Sequence, residues 1–321
     1  MRILSKLVYH RMMPALILIG SAFAFFQTLG FVSEYAELSR RREFKISELV
    51  MADVGQGDGF MIRVWNGNIV FIDVGEFAEK FIAAIRKPSI MNFGKKESLH
   101  ADLIFLSHDD ADHAEGLDGV WKDIGGHVGA IALSDYRYTF VDKLKENNSK
   151  VRTVDVAIGD SFSFLTGDSI KILFPKDDAN GTGEQSERSA NDNSLIMKTV
   201  ISSTSILFMG DASNVVENEL IESADAKQIA SDLRADILKV GHHGSRTSSS
   251  ENFIKIANPK IALISVGKNN RYKHPTAEAL RRLTQNGRDI IRTDQCGTYR
   301  IMLFENGAIG RRHCAASGVA T

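Results

Sequence analysis

The pattern of apolar and polar positions changes near residue 47, where short runs rich in Val, Ile and Phe begin. Three such runs lie at 48–54, 60–65 and 69–74 and are separated by Gly or Asn-Gly, which predicts three neighbouring strands. Gly67, within Trp-Asn-Gly-Asn, marks a tight hairpin between the last two. The folded part of the chain is therefore expected to open with antiparallel strands.

Farther along, apolar runs alternate with amphipathic stretches, which is the pattern of strand–helix units. Further strands are predicted at Leu103–Ser107, Ala130–Ser134, Val151–Asp155, Ile170–Phe174, Ser194–Ile201, Ser205–Met209, Asp236–Val240, Ile261–Val266, Ile290–Thr293 and Tyr299–Phe304. Helices are predicted at Glu76–Arg86, Asp112–Trp121, Phe140–Asn147, Ser213–Ser223, Glu251–Ala257 and Thr276–Gln285. The polar, Gly-rich stretch at 176–192 predicts a long loop. The mixture indicates an α/β fold of two sheets covered by helices, although a single mixed sheet has the same periodicity.

The N-terminal segment has a different character from the rest of the chain. Residues 12–32 carry no charge and follow three basic residues, and a helix needs about 20 apolar residues to span a bilayer. The run Ala22–Ala24 has the small-residue pattern of a signal-peptide cleavage site. Because the apolar character continues beyond it, we favour a retained membrane anchor over a cleaved signal. The basic residues before the span favour an N-terminus inside and a soluble domain outside the cytoplasm. Cleavage would give a secreted protein.

These patterns divide the chain into four parts. A basic and apolar segment occupies 1–32, a charged linker 33–46, one large α/β domain 47–312, and a short tail 313–321. The formal net charge is −1, so no overall positive field favours nucleic acid, and such a substrate would need a local basic patch. Two cysteines exclude a disulfide scaffold and a zinc site built from cysteines.

The sequence Ser-His-Asp-Asp-Ala-Asp-His at 107–113 crowds metal-binding side chains directly after an apolar strand. Alternate residues of an extended segment share a face, so His108 and Asp110 can converge. The turn into the next helix then brings Asp112 and His113 towards the same point. Two carboxylates and two imidazoles suit Zn²⁺, Mn²⁺ or Fe²⁺ rather than a calcium loop. A solvated acidic turn is the alternative, but histidine at both ends makes it the weaker one.

Three more predicted strands end in residues of the same chemical types. Asp211 follows Gly210 after an apolar run, and Asp73 lies in Ile-Asp-Val-Gly. His242 and His243 stand between two glycines after another strand. Each has an ordinary explanation, as a turn or as one buried and one exposed histidine. Together, however, four such strand ends predict one shared edge that carries a site.

The order and number of these motifs resemble the metallo-β-lactamase fold, and most of all the soluble hydrolase-like domain of ComEC-type DNA-uptake proteins. The resemblance covers about Leu49 to Phe304. It rests on M-A-D-V-G-Q-G-D-G at 51–59, Asp73, H-x-D-x-D-H at 108–113, N-D-N-S-L at 191–195, Gly210-Asp211, K-V-G-H-H-G-S at 239–245, N-R-Y-K-H-P at 270–275 and R-T-D-Q-C-G at 292–297.

This resemblance implies a four-layer αββα sandwich with one or two divalent ions, Zn or Mn, at one edge. The implied ligands are His108 and Asp110 for one ion, Asp112, His113 and either His242 or His243 for the second, and Asp211 as a bridge. Of the adjacent histidines we prefer His243. Asp73 and Asp58 are expected to orient ligands rather than bind metal.

One departure from the wider fold concerns the region between residues 113 and 211. Most relatives place a histidine ligand there, whereas this chain offers Asn191 and Ser194 as candidates. The first ion is therefore expected to be weakly held, or a single ion to suffice.

We expect a metal-dependent hydrolase of phosphodiesters, with DNA among the candidate substrates, that uses a metal-activated hydroxide. Asp112 would orient the nucleophile, and His274 would stabilise or protonate a leaving group unless it is a plain surface histidine. Basic residues near both could hold phosphates: Arg246, Lys268, Arg271 and Lys273. The alternatives are a hydrolase of envelope esters, such as choline-phosphate or teichoic-acid diesters, and a weakly catalytic accessory subunit of a membrane complex.

Overall fold

A computed structural model describes the parts of the chain that carry the predicted motifs. The described residues are 45–87, 99–134, 138–175, 188–222, 231–285 and 287–311. The predicted membrane segment at 12–32, nearly all of the linker and the tail lie outside them. Within the described ranges, no helix is long and apolar enough to cross a membrane.

Fifteen strands lie in the described ranges and form two sheets. Their bounds are β1 Ser47–Met51, β2 Gly59–Arg63, β3 Ile69–Val74, β4 Ala101–Phe105, β5 Val128–Leu133, β6 Thr153–Asp155, β7 Ser161–Ser163, β8 Ser169–Phe174, β9 Ile196–Ile201, β10 Thr204–Phe208, β11 Ile237–Lys239, β12 Ile261–Ile264, β13 Asp289–Arg292, β14 Tyr299–Leu303 and β15 Ile309–Arg311. One sheet has the order β15-β14-β1-β2-β3-β4-β5-β6, and the other β13-β12-β11-β10-β9-β8-β7.

Helices cover the outer face of each sheet. Their bounds are α1 Ala78–Arg86, α2 Ala111–Ala114, α3 Leu117–Asp123, α4 Thr139–Asn147, α5 Asn214–Glu222, α6 Glu251–Ala257, α7 Ala277–Thr284 and α8 Thr293–Cys296. Two 3-10 turns, Asn191–Asn193 and Gly241–Gly244, lie beside the strand ends that carry the predicted motifs.

Three apolar clusters define the layers of the domain. The central one joins the inner faces of the two sheets and includes Phe60 and Phe208, whose rings meet edge to face at 5.4 Å. The second packs α1, α3 and α4 on the first sheet, and Phe71 contacts Phe81 of α1 there. The third packs α5, α6 and α7 on the second sheet. The arrangement is the predicted αββα sandwich, because alternate residues of each strand face different layers.

The observed elements correct several sequence predictions. The alternative interpretation, a single mixed sheet, is wrong, since the described residues form two sheets. The helix predicted at 112–121 is two short helices, because the N–H of Gly116 donates to the carbonyl of Gly75 (2.8 Å) and the chain turns where it meets that backbone. Strands β7 and β15 were not predicted, since three residues with few apolar side chains give no periodic signal.

The ends of four strands, β3, β4, β10 and β11, bring the predicted motifs to one edge of the sandwich. Strands β3, β4 and β5 are parallel, as are β10, β11 and β12, so their carboxyl ends share an edge within each sheet. The two sheets meet at this edge, where the N–H of Leu195 donates to the carbonyl of Ser107 at 2.7 Å. The residues that follow these strands can therefore form one site.

Candidate metal centre

Three buried histidines form the centre of this edge. His108, His113 and His243 are each at most 1% exposed. Their rings lie close together, with centroids 4.1 Å apart for His108 and His113 and 5.3 Å apart for His113 and His243. Among the described residues, none of the three Nε2 atoms has a hydrogen-bond partner. Buried ring nitrogens without partners need an explanation, and a bound cation is the usual one.

The opposite ring nitrogen of each histidine is held by the protein. His243 Nδ1 lies 2.8 Å from the carbonyl oxygen of Ser265, which can only accept, so the proton is on Nδ1. His113 Nδ1 lies 2.9 Å from the carboxylate of Asp73. His108 Nδ1 lies 3.0 Å from Ser107 Oγ, whose own proton goes to Asp73 at 2.7 Å. Because Nδ1 is held in this way, Nε2 is the ring nitrogen that each histidine can offer to a metal.

Carboxylates complete the set of candidate ligands. Asp211 places Oδ1 3.3 Å from His113 Nε2 and Oδ2 3.2 Å from His243 Nε2. Asp112 Oδ2 lies 3.4 Å from His243 Nε2, and Asp110 Oδ2 lies 3.5 Å from His108 Nε2. The structure thus gathers Asp112, His113 and His243 as one group of candidate ligands, and His108, His113 and Asp211 as another. Imidazole and carboxylate donors at this spacing suit a divalent cation.

Asp109, the one aspartate of the 107–113 loop that is not a candidate ligand, faces away from this centre. Its carboxylate accepts from the N–H groups of Thr139 (2.7 Å) and Phe140 (3.2 Å), the first residues of α4. It thereby satisfies amide groups that a helix start leaves without partners. The loop therefore divides its acids between a helix start and the candidate metal centre.

The two adjacent histidines have different surroundings. Both have left-handed backbone conformations (φ 45° for His242 and 52° for His243), which cost roughly 1–3 kcal/mol each and are common at functional sites. This turn directs His243 into the buried cluster and leaves the His242 side chain 28% exposed at its rim. His242 Nε2 is 3.7 Å from Asp211 Oδ2, and the His242 ring is 5.5 Å from that of His274.

The candidates for the missing histidine ligand also occupy different places. Ser194 is fully buried, accepts from the N–H of Asp211 at 2.9 Å, and lies 3.5 Å from Nδ1 of His108. It therefore contacts the side of His108 that faces away from Nε2. Asn191 lies at the rim, with Nδ2 3.4 Å from His242 Nε2. Gly210 packs its backbone on Ser194, where a Cβ would come within 2.6 Å of the serine Cβ.

One charged residue of the centre, Lys239, opens the K-V-G-H-H-G-S motif at 239–245 but was given no role in the sequence analysis. The residue ends β11 and is only 1% exposed. Its ammonium group pairs with Asp58, donates to the carbonyl of Gly210 at 2.7 Å and lies 3.4 Å from Asp211 Oδ1. The signal was a lysine within the apolar run Ile-Leu-Lys-Val, where a solvated charge is not expected. Ser107 and Ser265, which hold histidine Nδ1 atoms, were also missed.

The acids and histidines shift one another's proton affinity. Burial alone would lower the pKa of His113 and His243, but the negative charge of Asp211 outweighs it and raises both well above the usual value. Burial would raise the pKa of Asp211, but the charges of His243 and His113 hold it well below the usual range. At the rim, burial lowers the pKa of His242, and burial with the neighbouring histidines lowers that of His274 to about 4.

A family model described as the metallo-beta-lactamase superfamily matches residues 72–268, more than half of the chain. The chain belongs to the metallo-β-lactamase superfamily. The predicted fold is thereby confirmed, and the protein is a metal-dependent hydrolase of this superfamily.

Curated relatives of this metallo-β-lactamase domain include two competence proteins. ComE operon protein 3 of Bacillus subtilis is 28% identical over 264 residues, which are 78% of this chain and 32% of the relative. Competence protein ComA of Neisseria gonorrhoeae is 29% identical over 283 residues, 88% of this chain and 36% of the relative. The chain thus spans about a third of the length of these relatives.

Among solved structures, the metallo-β-lactamase fold protein YhfI from Bacillus subtilis aligns with a TM-score of 0.49 at 12% identity, covering 80% of this chain and 99% of YhfI. Human tRNase Z, short form, aligns with a TM-score of 0.43 at 12% identity, covering 76% and 95%.

The residues present fit the divalent metal that the metallo-β-lactamase superfamily implies. The three buried Nε2 atoms without partners converge with carboxylate oxygens, and each histidine is fixed through Nδ1. Two groups of described residues could each hold a cation, Asp112, His113 and His243 in one and His108, His113 and Asp211 in the other. Asp110 lies beside His108 of the second group.

Proposed function

We propose that this metallo-β-lactamase domain hydrolyses phosphodiesters, with single-stranded DNA as the substrate class. The observation that carries the proposal is that His243 lies beside both Asp112 and Asp211, and His113 beside Asp211, beneath a rim of neutral histidine and exposed basic side chains. The named relatives support it, because two of them are competence proteins.

A divalent ion bound by these groups would lower the pKa of a bound water to about 7 and so supply the nucleophile at neutral pH. Asp112 has 28% of its side chain exposed and lies where the buried cluster opens to solvent. Burial would raise its pKa, but the adjacent His243, whose Nε2 lies 3.4 Å away, and the charge of His113 hold the pKa below its usual value. An ionised carboxylate at the opening can accept a hydrogen bond from the attacking water and so orient it.

We propose that His274 contacts the leaving group rather than protonating it. The pKa of about 4 makes its imidazole neutral at physiological pH, so it carries one N–H and no additional proton. Its Nδ1 has no hydrogen-bond partner in the described part of the chain. The backbone is fixed by Asn270, whose Oδ1 accepts from the His274 N–H at 2.9 Å and whose Nδ2 donates to its carbonyl at 2.7 Å. A neutral imidazole held in this way can donate a hydrogen bond to a departing oxygen.

The rim around His274 has groups suited to a nucleic-acid strand. Tyr272 is 49% exposed, its ring is stacked with that of His274 at 5.8 Å, and the Arg271 guanidinium lies 4.8 Å from its face. Aromatic and guanidinium faces stack on bases. Three more exposed cations, which could contact phosphates, lie in the same loops: Arg246, Lys268 and Lys273.

We further propose that the apolar segment at 12–32 anchors this domain to a membrane, with the domain outside the cytoplasm. The charge-free length of the segment and the basic residues before it support this placement. Protease added to spheroplasts, in which the outer face of the cytoplasmic membrane is exposed, should then degrade the domain. Protection of the domain in spheroplasts, with degradation only after lysis, would contradict the placement.

The test of the activity is a substrate panel with the full chain. We expect Mn²⁺- or Zn²⁺-dependent cleavage of single-stranded DNA, lost on chelation. Double-stranded DNA, RNA, a choline-phosphate diester and a teichoic-acid diester serve as comparison substrates. Metal-dependent cleavage of an envelope diester with none of DNA would replace the proposed substrate. A metal-loaded protein that cleaves no diester would contradict the proposal.

A further inference from the structure

We propose that Lys239 is a positioning residue of the metal centre, holding the carboxylates of Asp211 and Asp58 in the orientation that the cation requires. The inference rests on the metal centre of the proposed function but not on its substrate. Lys239 touches no candidate substrate surface, because it lies beneath the ligands with 1% of its surface exposed.

The contacts of Lys239 fix the bridging carboxylate from below. Its Nζ donates to the carbonyl of Gly210 at 2.7 Å and lies 3.4 Å from Oδ1 of Asp211. The same Oδ1 is 3.3 Å from Nε2 of His113. The ammonium therefore holds both the backbone before Asp211 and one of its oxygens, and leaves Oδ2 facing His243.

Asp58, the second partner of Lys239, lies behind two of the candidate ligands. Its Oδ1 is 3.5 Å from Nδ1 of His243, and its Oδ2 is 3.8 Å from Nδ1 of His113. Oδ1 has no hydrogen-bond partner among the residues that the structure describes. Asp58 is itself fixed through its N–H, which donates to the carbonyl of Asp112 at 3.0 Å. The Lys239–Asp58 pair thus lies next to the Nδ1 side of both His113 and His243.

A charged pair at this place is poorly explained by stability alone. Buried ion pairs contribute little over apolar residues of similar volume, although breaking one partner is costly. Lys239 lies among buried acids, because its ammonium group pairs with Asp58 and is 3.4 Å from Oδ1 of Asp211. Its contact with Asp211 links the pair to the candidate ligand set rather than to the apolar core.

The experiment measures metal affinity, not turnover. Full-length protein is titrated with Mn²⁺, and free Mn²⁺ is followed by electron paramagnetic resonance. In Lys239→Met we expect the dissociation constant to rise about 10- to 100-fold, the range typical when an outer partner of a metal ligand is lost. The matched control is Leu238→Ala, the neighbour in β11 that packs into the opposite layer. It should lose comparable stability and bind Mn²⁺ within about 3-fold of wild type.

A double variant separates positioning from a plain ion pair and covers the case in which Lys239→Met does not fold. In Asp58→Asn with Lys239→Met, both charges are gone, so we expect thermal stability to recover. Metal affinity should stay about 10-fold or more below wild type, because Asp211 still lacks its donor. Full recovery of affinity in the double variant, or affinity within about 3-fold of wild type in Lys239→Met, would overturn the inference.

The outcome is independent of the substrate. If no phosphodiester is cleaved while the affinities follow this pattern, the proposed function fails and the role of Lys239 stands. If the wild type cleaves DNA but Lys239→Met binds Mn²⁺ as tightly as the wild type, the proposed function stands and the role of Lys239 fails. If the wild type binds neither Mn²⁺ nor Zn²⁺, both the proposed function and the proposed role of Lys239 are wrong.

Discussion

Nε2 of His243 lies 3.2 Å from Oδ2 of Asp211, and the other oxygen of this carboxylate lies 3.3 Å from Nε2 of His113. One carboxylate therefore faces two histidines that come from different sheets. This relationship assembles the candidate metal centre, because His113 lies in α2 after β4 of one sheet, whereas Asp211 and His243 follow β10 and β11 of the other.

Removal of the acids of the centre should abolish metal-dependent hydrolysis. In Asp211→Ala and Asp112→Ala we expect rates at least about 100-fold lower, since loss of a ligand should exceed the loss of an outer partner. The matched control is Asp109→Ala, in the same loop as Asp112. It removes the acceptor at the start of α4 and should cost about 1 kcal/mol of stability while activity is retained. Initial rates with saturating Mn²⁺ measure the difference, and full activity in Asp211→Ala would refute the assignment.

The adjacent histidines should respond differently to the same substitution. His243→Gln should lower the metal content of the purified chain, because its Nε2 faces Asp112 and Asp211. His242→Gln should keep the metal and lower turnover, because this ring lies at the rim beside His274. Elemental analysis with parallel rate measurements distinguishes them. Normal metal content in His243→Gln together with loss in His242→Gln would reverse our preference.

Stability should depend on pH with opposite sign in the metal-free and metal-bound protein. The folded-state pKa values of His113 and His243 are raised, so without metal their contribution is fully present below about pH 6.5 and is lost as pH rises through the folded values. A bound cation replaces these protons, so metal binding should strengthen as pH rises. The metal-free protein should therefore melt at lower temperature at about pH 8.5 than at about pH 6.5, and added Mn²⁺ should reverse the order.

Thermal unfolding in chelator and in Mn²⁺ tests this prediction. His243→Gln lacks one of the two titrating groups, so its metal-free melting temperature should vary less with pH. Metal-free stability that rises between these pH values would contradict the raised pKa values.

His274→Gln should lower turnover and leave metal affinity unchanged. We expect a loss of roughly 10- to 100-fold, at or below the lower end of the range for a general acid, because the imidazole is neutral at its pKa of about 4. Gln keeps an N–H donor, so His274→Ala should lose more. The rate of the wild type should have the same pH dependence between about pH 5 and 8 as the rate of His274→Gln. If the pH–rate profile of the wild type had a rise or fall that is absent in His274→Gln, this residue would transfer a proton.

Much of the fold was predictable because the strands leading to the site are apolar and end in Gly, Asp or His. Leu103–Ser107 and Ile69–Val74 give clear strand signals, and H-x-D-x-D-H follows the first of them directly. The convergence of Asp73, His113, Asp211 and His243 on one edge was expected from these ends and is observed.

Other features depend on contacts that no local pattern encodes. The inward direction of His243 follows from two consecutive left-handed residues, and a His-His pair does not specify which one turns inward. Asp109 and Asp112 are the same residue type in the same loop, but only tertiary packing brings the first amides of α4 to Asp109. Lys239 was quoted within the K-V-G-H-H-G-S motif but given no role, because the buried acids that surround it, Asp58 and Asp211, come from other parts of the chain.

Anomalous diffraction from crystals of the Mn²⁺-bound protein tests the central claim most directly. The account predicts a peak within about 2.3 Å of His113 Nε2, His243 Nε2 and an oxygen of Asp211, with any second peak on the His108 side of that carboxylate. A bound ion that lies away from both histidines, with their Nε2 atoms still without a partner, would contradict it.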